Sequence, residues 1–270
     1  MTINQVIAQA RNYLSENDIA LIKSAYNFAA QAHRGQKRIT GEPYLEHPLQ
    51  TAFILAQMGL DAKTIAAGLL HDVPEDTKYK LADIKKIFGE DIAFLVDSVT
   101  KLSNLEYHGQ IRYREGLKKM FLAMAKDIRV IFIKFADRLH NLRTLEYLPD
   151  TKRQSIANET LDIYVPIADL LGIWHLKWQM EDLCFKYLHP AEYQELSQKY
   201  QVDKKLELNQ YIKRMTKELG QALDKLNIPH EINGRFKHLY SIWQKMQDKN
   251  RKFNEIYDVF ALRVIVPDID

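Results

Sequence analysis

The stretch AAGLLHDVPEDT, residues 66–77, decides how the rest of the chain is read. An apolar run carries a helix as far as His71-Asp72, and two further carboxylates follow at Glu75 and Asp76. Three carboxylates and an imidazole beside Leu69-Leu70 are costly to hold against apolar surface unless a cation pairs with them. Pro74 disfavours helix at Val73 and has no backbone N–H to donate. The stretch therefore reads as a helix ending near Asp72, then a new turn opened by Pro74. Glu75 and Asp76 fall near the amino end of that turn, where the helix dipole favours negative charge.

Two other segments offer matching chemistry. HRGQKRITGEPYLEHPL, residues 33–49, is broken by Gly41, Pro43 and Pro48, so it reads as a loop leading into a helix that starts near His47. Arg34, Lys37 and Arg38 lie in the same loop, which thus brings an imidazole and several cations together. IRVIFIKFADRLHNLRTL, residues 128–145, is almost continuously apolar over its first nine positions and resembles a buried strand. No Gly or Pro interrupts it, and helical spacing continues beyond it, so a buried helix is the better reading. In that helix His140 and Asn141 follow Asp137 at i+3 and i+4, which places all three on one face.

His47, His71, Asp72 and Asp137 make a set of two imidazoles and two carboxylates. That mixture suits Mn²⁺, Fe²⁺ or Zn²⁺ better than Mg²⁺ or Ca²⁺, which prefer all-oxygen shells. Four protein ligands leave room for a water, whose acidity such an ion raises. The chemistry implied is hydrolysis of a phosphate ester or anhydride. Taken alone, His140 reads as a helix residue with a satisfied partner, and His33 and His108 as ordinary packing or surface histidines. Arg112, Arg114, Lys118 and Lys119 read as a solvated basic face.

From residue 1 to about 200 the pattern is helix after helix, an all-α architecture. Asn17-Asp18 and Asp61 are expected to open the second and fourth helices, and Gly59, Gly89 and Gly172 to end helices. Helical spacing also runs through 90–102, 110–126, 151–171 and 173–188, with a kink at Pro166. After residue 200 the pattern changes. Residues 203–228 form a charged amphipathic helix, IPHEINGR a strand, KHLYSIWQKMQDKN a helix and VFALRVIV a buried strand, a βαβ-like start of a second domain at 201–270.

At 270 residues with 46% hydrophobic content, the chain can bury a real core. Its 38 basic and 35 acidic residues give a net charge of only +3, too balanced to argue for direct DNA binding. The single cysteine, Cys184, excludes an internal disulfide and fits a reducing, cytoplasmic setting. No apolar run approaches the roughly 20 residues that span a bilayer. The opening MTINQVIAQARNYL reads as an amphipathic helix rather than a signal peptide.

Adjacent His-Asp is the signature of the HD metal-dependent phosphohydrolases, and this chain resembles them. The resemblance narrows with five ordered blocks: GEPYLEHP, LLHDVPEDT, LAMAKDIRVIFIKFADRLHNLRTL, GRFKHLYSIWQKM and IYDVFALRVIV. Together they look like the amino-terminal half of the bifunctional Rel/SpoT stringent-response enzymes. The resemblance implies Mn²⁺-dependent removal of pyrophosphate from the 3′ position of guanosine tetra- and pentaphosphate (ppGpp and pppGpp). It places the metal ligands at His47, His71, Asp72 and Asp137, and the acidic pair that positions and deprotonates the attacking water at Glu75 and Asp76. Arg38 matches the family's basic residue near the nucleotide and Asn141 its sugar contact, with Arg34 and Lys37 as further substrate-binding candidates. The second domain resembles the start of the family's synthetase, which moves pyrophosphate from ATP to GDP or GTP. There Arg235, Lys237, Ser241 and Lys245 match phosphate-facing residues and Asp258 an Mg²⁺ ligand.

The match departs in two places. Pro74 stands where the family has a non-proline residue, and Asp169-Leu170 in VPIADLLGI replaces a His-Arg pair. The family's second synthetase carboxylate has no counterpart before Asp270. The chain is accordingly expected to be a fragment of a longer protein, unable by itself to make the nucleotide. Ribosome contact is expected only through carboxy-terminal regions beyond it. Two other readings stay open at this point: an HD hydrolase acting on a different phosphate ester, and a nucleotide-responsive module whose site is silenced.

Overall fold

The computed structural model describes residues 1–103, 118, 120–202, 205–256 and 260–267. They form two compact units, Met1–Met180 and Glu181–Asp270.

In the first unit α1 (Ile3–Ala10), α2 (Glu16–Ala32), α3 (Glu46–Gln57), α4 (Ala62–Leu70), the single turn α5 (Val73–Asp76), α6 (Leu81–Phe88), α7 (Glu90–Ser103) and α8 (Arg129–Arg143) follow one another. α4 lies at the centre, packed against α2, α3, α7 and α8. Eight of its nine residues are buried, which explains an apolar run with no polar face. Ile19 and Ile22 of α2, Leu55 of α3, Leu95 of α7 and Phe135 of α8 pack the same core. The apolar stretch after residue 128 is a helix, as its uninterrupted pattern predicts.

The helix ends follow local side-chain chemistry. Asp61 caps α4, its Oδ1 accepting from the amides of Lys63 at 3.0 Å and Thr64 at 3.1 Å. The cap of α2 is Ser15 rather than Asn17-Asp18. Asp18 sits at the third helical position and its Oδ2 accepts from the Ser15 amide at 3.2 Å, a capping box. α4 stops at Leu70 with His71 as its cap, and α5 opens with Asp72 as N-cap and Pro74 in its first turn. Pro74 therefore occupies a position whose N–H has no helical partner to lose.

Residues 118 and 120–126 are helical; the rest of the expected 110–126 helix falls on residues outside those described, as do His108, Arg112, Arg114 and Lys119. The expected 151–171 helix is three pieces: α9 (Asp150–Glu159), a π-helical turn Thr160–Tyr164, and α10 (Val165–Leu170). The Val165 amide reaches back five residues to the Thr160 carbonyl, directly ahead of Pro166, which has no amide to continue the α ladder. Among the described residues no helix is long and apolar enough to cross a membrane.

α11 (Trp174–Leu188) runs from the first unit into the second. The second unit continues with α12 (Pro190–Val202), α13 (Lys205–Lys225), β1 (Glu231–Phe236), α14 (Leu239–Lys249) and β2 (Phe260–Ile265). Its core is Phe185, Leu196, Ile242, Phe253 and Ile256. Phe185 and Leu196 thus belong with residues far downstream, so the units divide after Met180 and not at residue 200. The strands pair antiparallel, with Glu231 opposite Ile265 and Phe236 opposite Phe260. The parallel pairing that a strand–helix–strand order suggests is not formed. Nor is β2 a buried strand: Val264 and Ile265 are 38% and 42% exposed. Gly234 lets α13 lie close on β1, since a Cβ there would meet Ile212 Cγ2 at 2.2 Å.

Candidate active site

Four elements of the first unit bring the candidate residues together. The loop before α3 carries Arg38 and Tyr44, α3 carries His47, the end of α4 carries His71 and Asp72, and α8 carries Lys134, Asp137, His140 and Asn141. His47, His71 and Asp137 are buried, and one ligand atom of each lies within 4.8 Å of the others. Asp72 closes the group, its Oδ1 3.0 Å from His71 Nε2 and its Oδ2 3.5 Å from His47 Nε2. Asp137 Oδ1 lies 3.3 Å from His47 Nε2.

The hydrogen-bond network orients both imidazoles. His71 Nδ1 donates to the Gly68 carbonyl at 2.8 Å, which leaves its Nε2 beside Asp72 and His47. Arg38 can only donate, and its Nη1 lies 3.2 Å from His140 Nδ1, which must therefore accept. His47 Nδ1, 2.7 Å from the same atom, is then the second donor, which leaves His47 Nε2 beside Asp72 and Asp137. The two Nε2 atoms lie 3.3 Å apart. Two imidazole nitrogens and two carboxylates thus converge on one point, a donor set that fits a divalent metal, and His140 orients His47 as an outer partner does in metal sites.

Charges around the group are strongly perturbed. Burial disfavours the ionised Asp137 carboxylate, but the Lys134 ammonium at 2.7 Å and His47 hold it well below the usual range. Burial likewise opposes the Asp72 charge, and the His71 and His47 imidazoles outweigh it. His140 is pushed down to about 3 by burial and by the adjacent His47 and Arg38, so it is neutral. The Glu75 carboxyl is raised by partial burial and then by the charges of Asp72 and Asp76. Asn141 donates to Asp137 Oδ1 at 2.6 Å and accepts from Arg38 Nη2 at 3.1 Å.

Beside the group opens a cleft of about 260 Å³, whose lining includes Arg38, Lys134, Arg138 and Asn141 and the apolar Leu148 and Ile156. Arg138 stacks on Tyr164 at 4.2 Å and donates to its hydroxyl at 2.8 Å and to Glu159 at 2.5 Å. Lys134 is engaged by Asp137. Arg38 differs from both, because its hydrogen-bond partners His140 and Asn141 are neutral.

Glu75 and Asp76 are exposed on α5, next to the group. Arg34 and Lys37 are exposed and do not line the cleft. In the second unit Arg235 contributes its backbone to β1 opposite Ala261, Lys237 precedes the N-cap of α14, and Ser241 and Lys245 lie one turn apart on that helix. Asp258 lies outside the described residues. Asp169 forms a 2.9 Å ion pair with Lys177, away from the metal-binding group. Tyr44, Gln36 and Lys134 are parts of the site that the sequence reading passed over. Lys134, three residues before Asp137 inside an apolar run, was the one with a visible signal.

Residues 25–174 match the family model of the HD domain, and residues 234–270 match the region found in RelA/SpoT proteins. The chain is 43% identical over all of its length to the bifunctional (p)ppGpp synthase/hydrolase SpoT of Escherichia coli, covering 38% of that protein. It is 47% identical over 91% of its length to a probable guanosine-3′,5′-bis(diphosphate) 3′-pyrophosphohydrolase of Synechocystis, covering 32% of it. Over 92% of its length it is 45% identical to a GTP pyrophosphokinase of Streptomyces coelicolor, covering 29% of it. The chain thus spans about a third of the length of the curated relatives it matches. With an HD domain followed in order by the region found in RelA and SpoT proteins, the chain belongs to the RelA/SpoT family.

Proposed function

We propose that the chain hydrolyses guanosine tetra- and pentaphosphate at the 3′ position, giving GDP or GTP and pyrophosphate, with Mn²⁺ held by His47, His71, Asp72 and Asp137. The observation that carries this reading is the convergence of two buried imidazole nitrogens, 3.3 Å apart, with two carboxylates, and a cationic cleft alongside. The bound ion would supply Lewis acidity and lower the pKa of a water.

The remaining roles belong to the chain's own groups. Arg38, whose hydrogen-bond partners among the described residues are neutral, is the cation best placed to pair with a phosphate, and Lys134 and Arg138 add positive field to the same cleft. Asn141, fixed by Arg38 and Asp137, presents an amide to the sugar. The raised carboxyl of Glu75 suits it to accept the proton of the attacking water, with Asp76 orienting that water. The water oxygen joins phosphorus, the bond to the 3′ oxygen breaks, and that oxygen leaves as a hydroxyl with the proton that Glu75 took from the water. We further propose that the second unit belongs to machinery for pyrophosphate transfer from ATP to GDP or GTP with Mg²⁺.

The test is to incubate the chain with guanosine tetraphosphate and Mn²⁺ beside an Asp72→Ala variant and follow GDP and pyrophosphate. Release that needs both Mn²⁺ and Asp72, with a loss of about a hundredfold or more in the variant, is expected. Release that is indifferent to either would sink the reading.

A further inference from the structure

Tyr44 is the side chain that touches both halves of the site. Its hydroxyl lies 3.0 Å from Asp72 Oδ2 and also hydrogen-bonds Asp76 Oδ2, so one phenol joins a carboxylate of the metal-binding group to one on α5. The surroundings fix that phenol in place. Gly41, at φ +83°, turns the loop so that the Tyr44 amide returns to the Gln36 carbonyl at 3.0 Å. The Tyr44 ring stacks on His33 with centroids 4.6 Å apart and planes 11° from parallel.

A second strut runs through the same loop. His33 Nδ1 lies 2.7 Å from Gln36 Oε1, which orients the amide so that Gln36 Nε2 donates to the Asp76 carbonyl at 2.7 Å. This arrangement leaves His33 Nε2 buried without a hydrogen-bond partner, a penalty the fold tolerates while the strut is kept. Asp76 is thus gripped at its carboxylate by Tyr44 and at its backbone by Gln36, although it is exposed and sits on a helix of only four residues. A turn that short has no stability of its own.

We propose that Tyr44 is a positioning residue: its hydroxyl, braced by the His33 stack and the Gln36 strut, holds Asp76 at a fixed distance from the metal-binding carboxylate Asp72. This deepens the proposed hydrolase reading and rests on it for the role of Asp76. The phenol has one proton for two carboxylates, so it aligns them without adding charge to the site. Its removal should affect the geometry of the reacting water more than substrate binding, because Tyr44 does not line the cleft.

The test uses the full chain and Tyr44→Phe, which keeps the ring on His33 and removes only the hydroxyl. Amide exchange of Glu75, Asp76 and Thr77 in the metal-free protein should quicken by about tenfold while that of α3 and α4 is unchanged. With guanosine tetraphosphate and Mn²⁺, kcat should fall by about ten- to a hundredfold with KM within about twofold. In an Asp76→Ala background, Tyr44→Phe should cost little more, since the hydroxyl acts through Asp76. Unchanged exchange at residues 75–77, a change confined to KM, or fully multiplicative losses in the double variant would each overturn the proposal. If the unmodified chain shows no hydrolysis, the hydrolase reading fails, and the exchange experiment still decides whether Tyr44 holds the turn.

Discussion

Lys134 and Asp137 lie one turn apart on α8, both buried, with Nζ and Oδ2 2.7 Å apart. Burial opposes both charges, yet each partner restores the other: the carboxyl stays below its usual value and the ammonium above. The carboxylate contribution to stability is therefore present above the unfolded value of about 3.9 and lost only as pH falls through the lower folded one. The ammonium contribution is present below about 10.4 and lost as pH rises through the raised folded value. Lys134→Met should cost about 3–5 kcal/mol at neutral pH by leaving a buried carboxylate uncompensated. That loss should shrink on acidification, as Asp137 takes up a proton, and on adding Mn²⁺, which replaces the missing cation. Urea unfolding with and without the ion measures both effects. At this scale, the sequence made visible four residues that the fold brings together: His47, His71, Asp72 and Asp137 stand in recognisable blocks. It hid those defined by a partner far along the chain. Tyr44 meets Asp72 and Asp76 across 28 and 32 residues, and His140 meets His47 across 93, and no local pattern marks either contact.

The short turn α5 shows how an element can be read correctly from a single residue. Pro74 breaks the run after His71-Asp72, and the structure has one helix ending at Leu70 and a new turn beginning at Val73. Because Pro74 sits in a first turn, it removes no helical hydrogen bond, and nothing in its position silences the site. Pro74→Ala should leave kcat within about twofold and stability within about 1 kcal/mol, the small loss arising from a freer unfolded chain. Turnover assays and a thermal melt check this. A rise in kcat of tenfold or more would instead mark the proline as a brake. The strands were harder to read. VFALRVIV is apolar at nearly every position, as a buried parallel strand would be, yet β2 pairs antiparallel with β1 and leaves its far end exposed. Pairing direction and burial depend on what packs around a strand, and eight residues contain no record of that.

On the scale of the whole chain, the change of pattern near residue 200 marks where charged helix begins and not where one core gives way to another. Phe185, wholly buried, packs with Leu196, Ile242, Phe253 and Ile256, so the second unit draws on the last turns of α11. Two compact units with one candidate metal-binding group among the described residues imply separable responses. His47, His71, Asp72 and Asp137 all belong to Met1–Met180, and a ligand stabilises the unit that binds it. Phe185→Ala should cost the second unit about 3–5 kcal/mol. In calorimetry, Mn²⁺ should raise the transition of the first unit by the same amount in the variant as in the parent chain. A metal effect that vanishes with Phe185 would mean that the two units unfold as one.

The π-helical turn at Thr160–Tyr164 has a consequence for how this sequence can drift. It holds one residue more than an α-helical turn, and each residue rotates a helix by about 100°. Glu159 and Tyr164 both meet Arg138 across that surplus residue. A one-codon deletion between them would leave every remaining amino acid acceptable to a helix and still swing one of these two partners off the guanidinium. Substitutions in this segment can accumulate, but its length is fixed, and the count of residues from Glu159 to Tyr164 carries information that their identities do not.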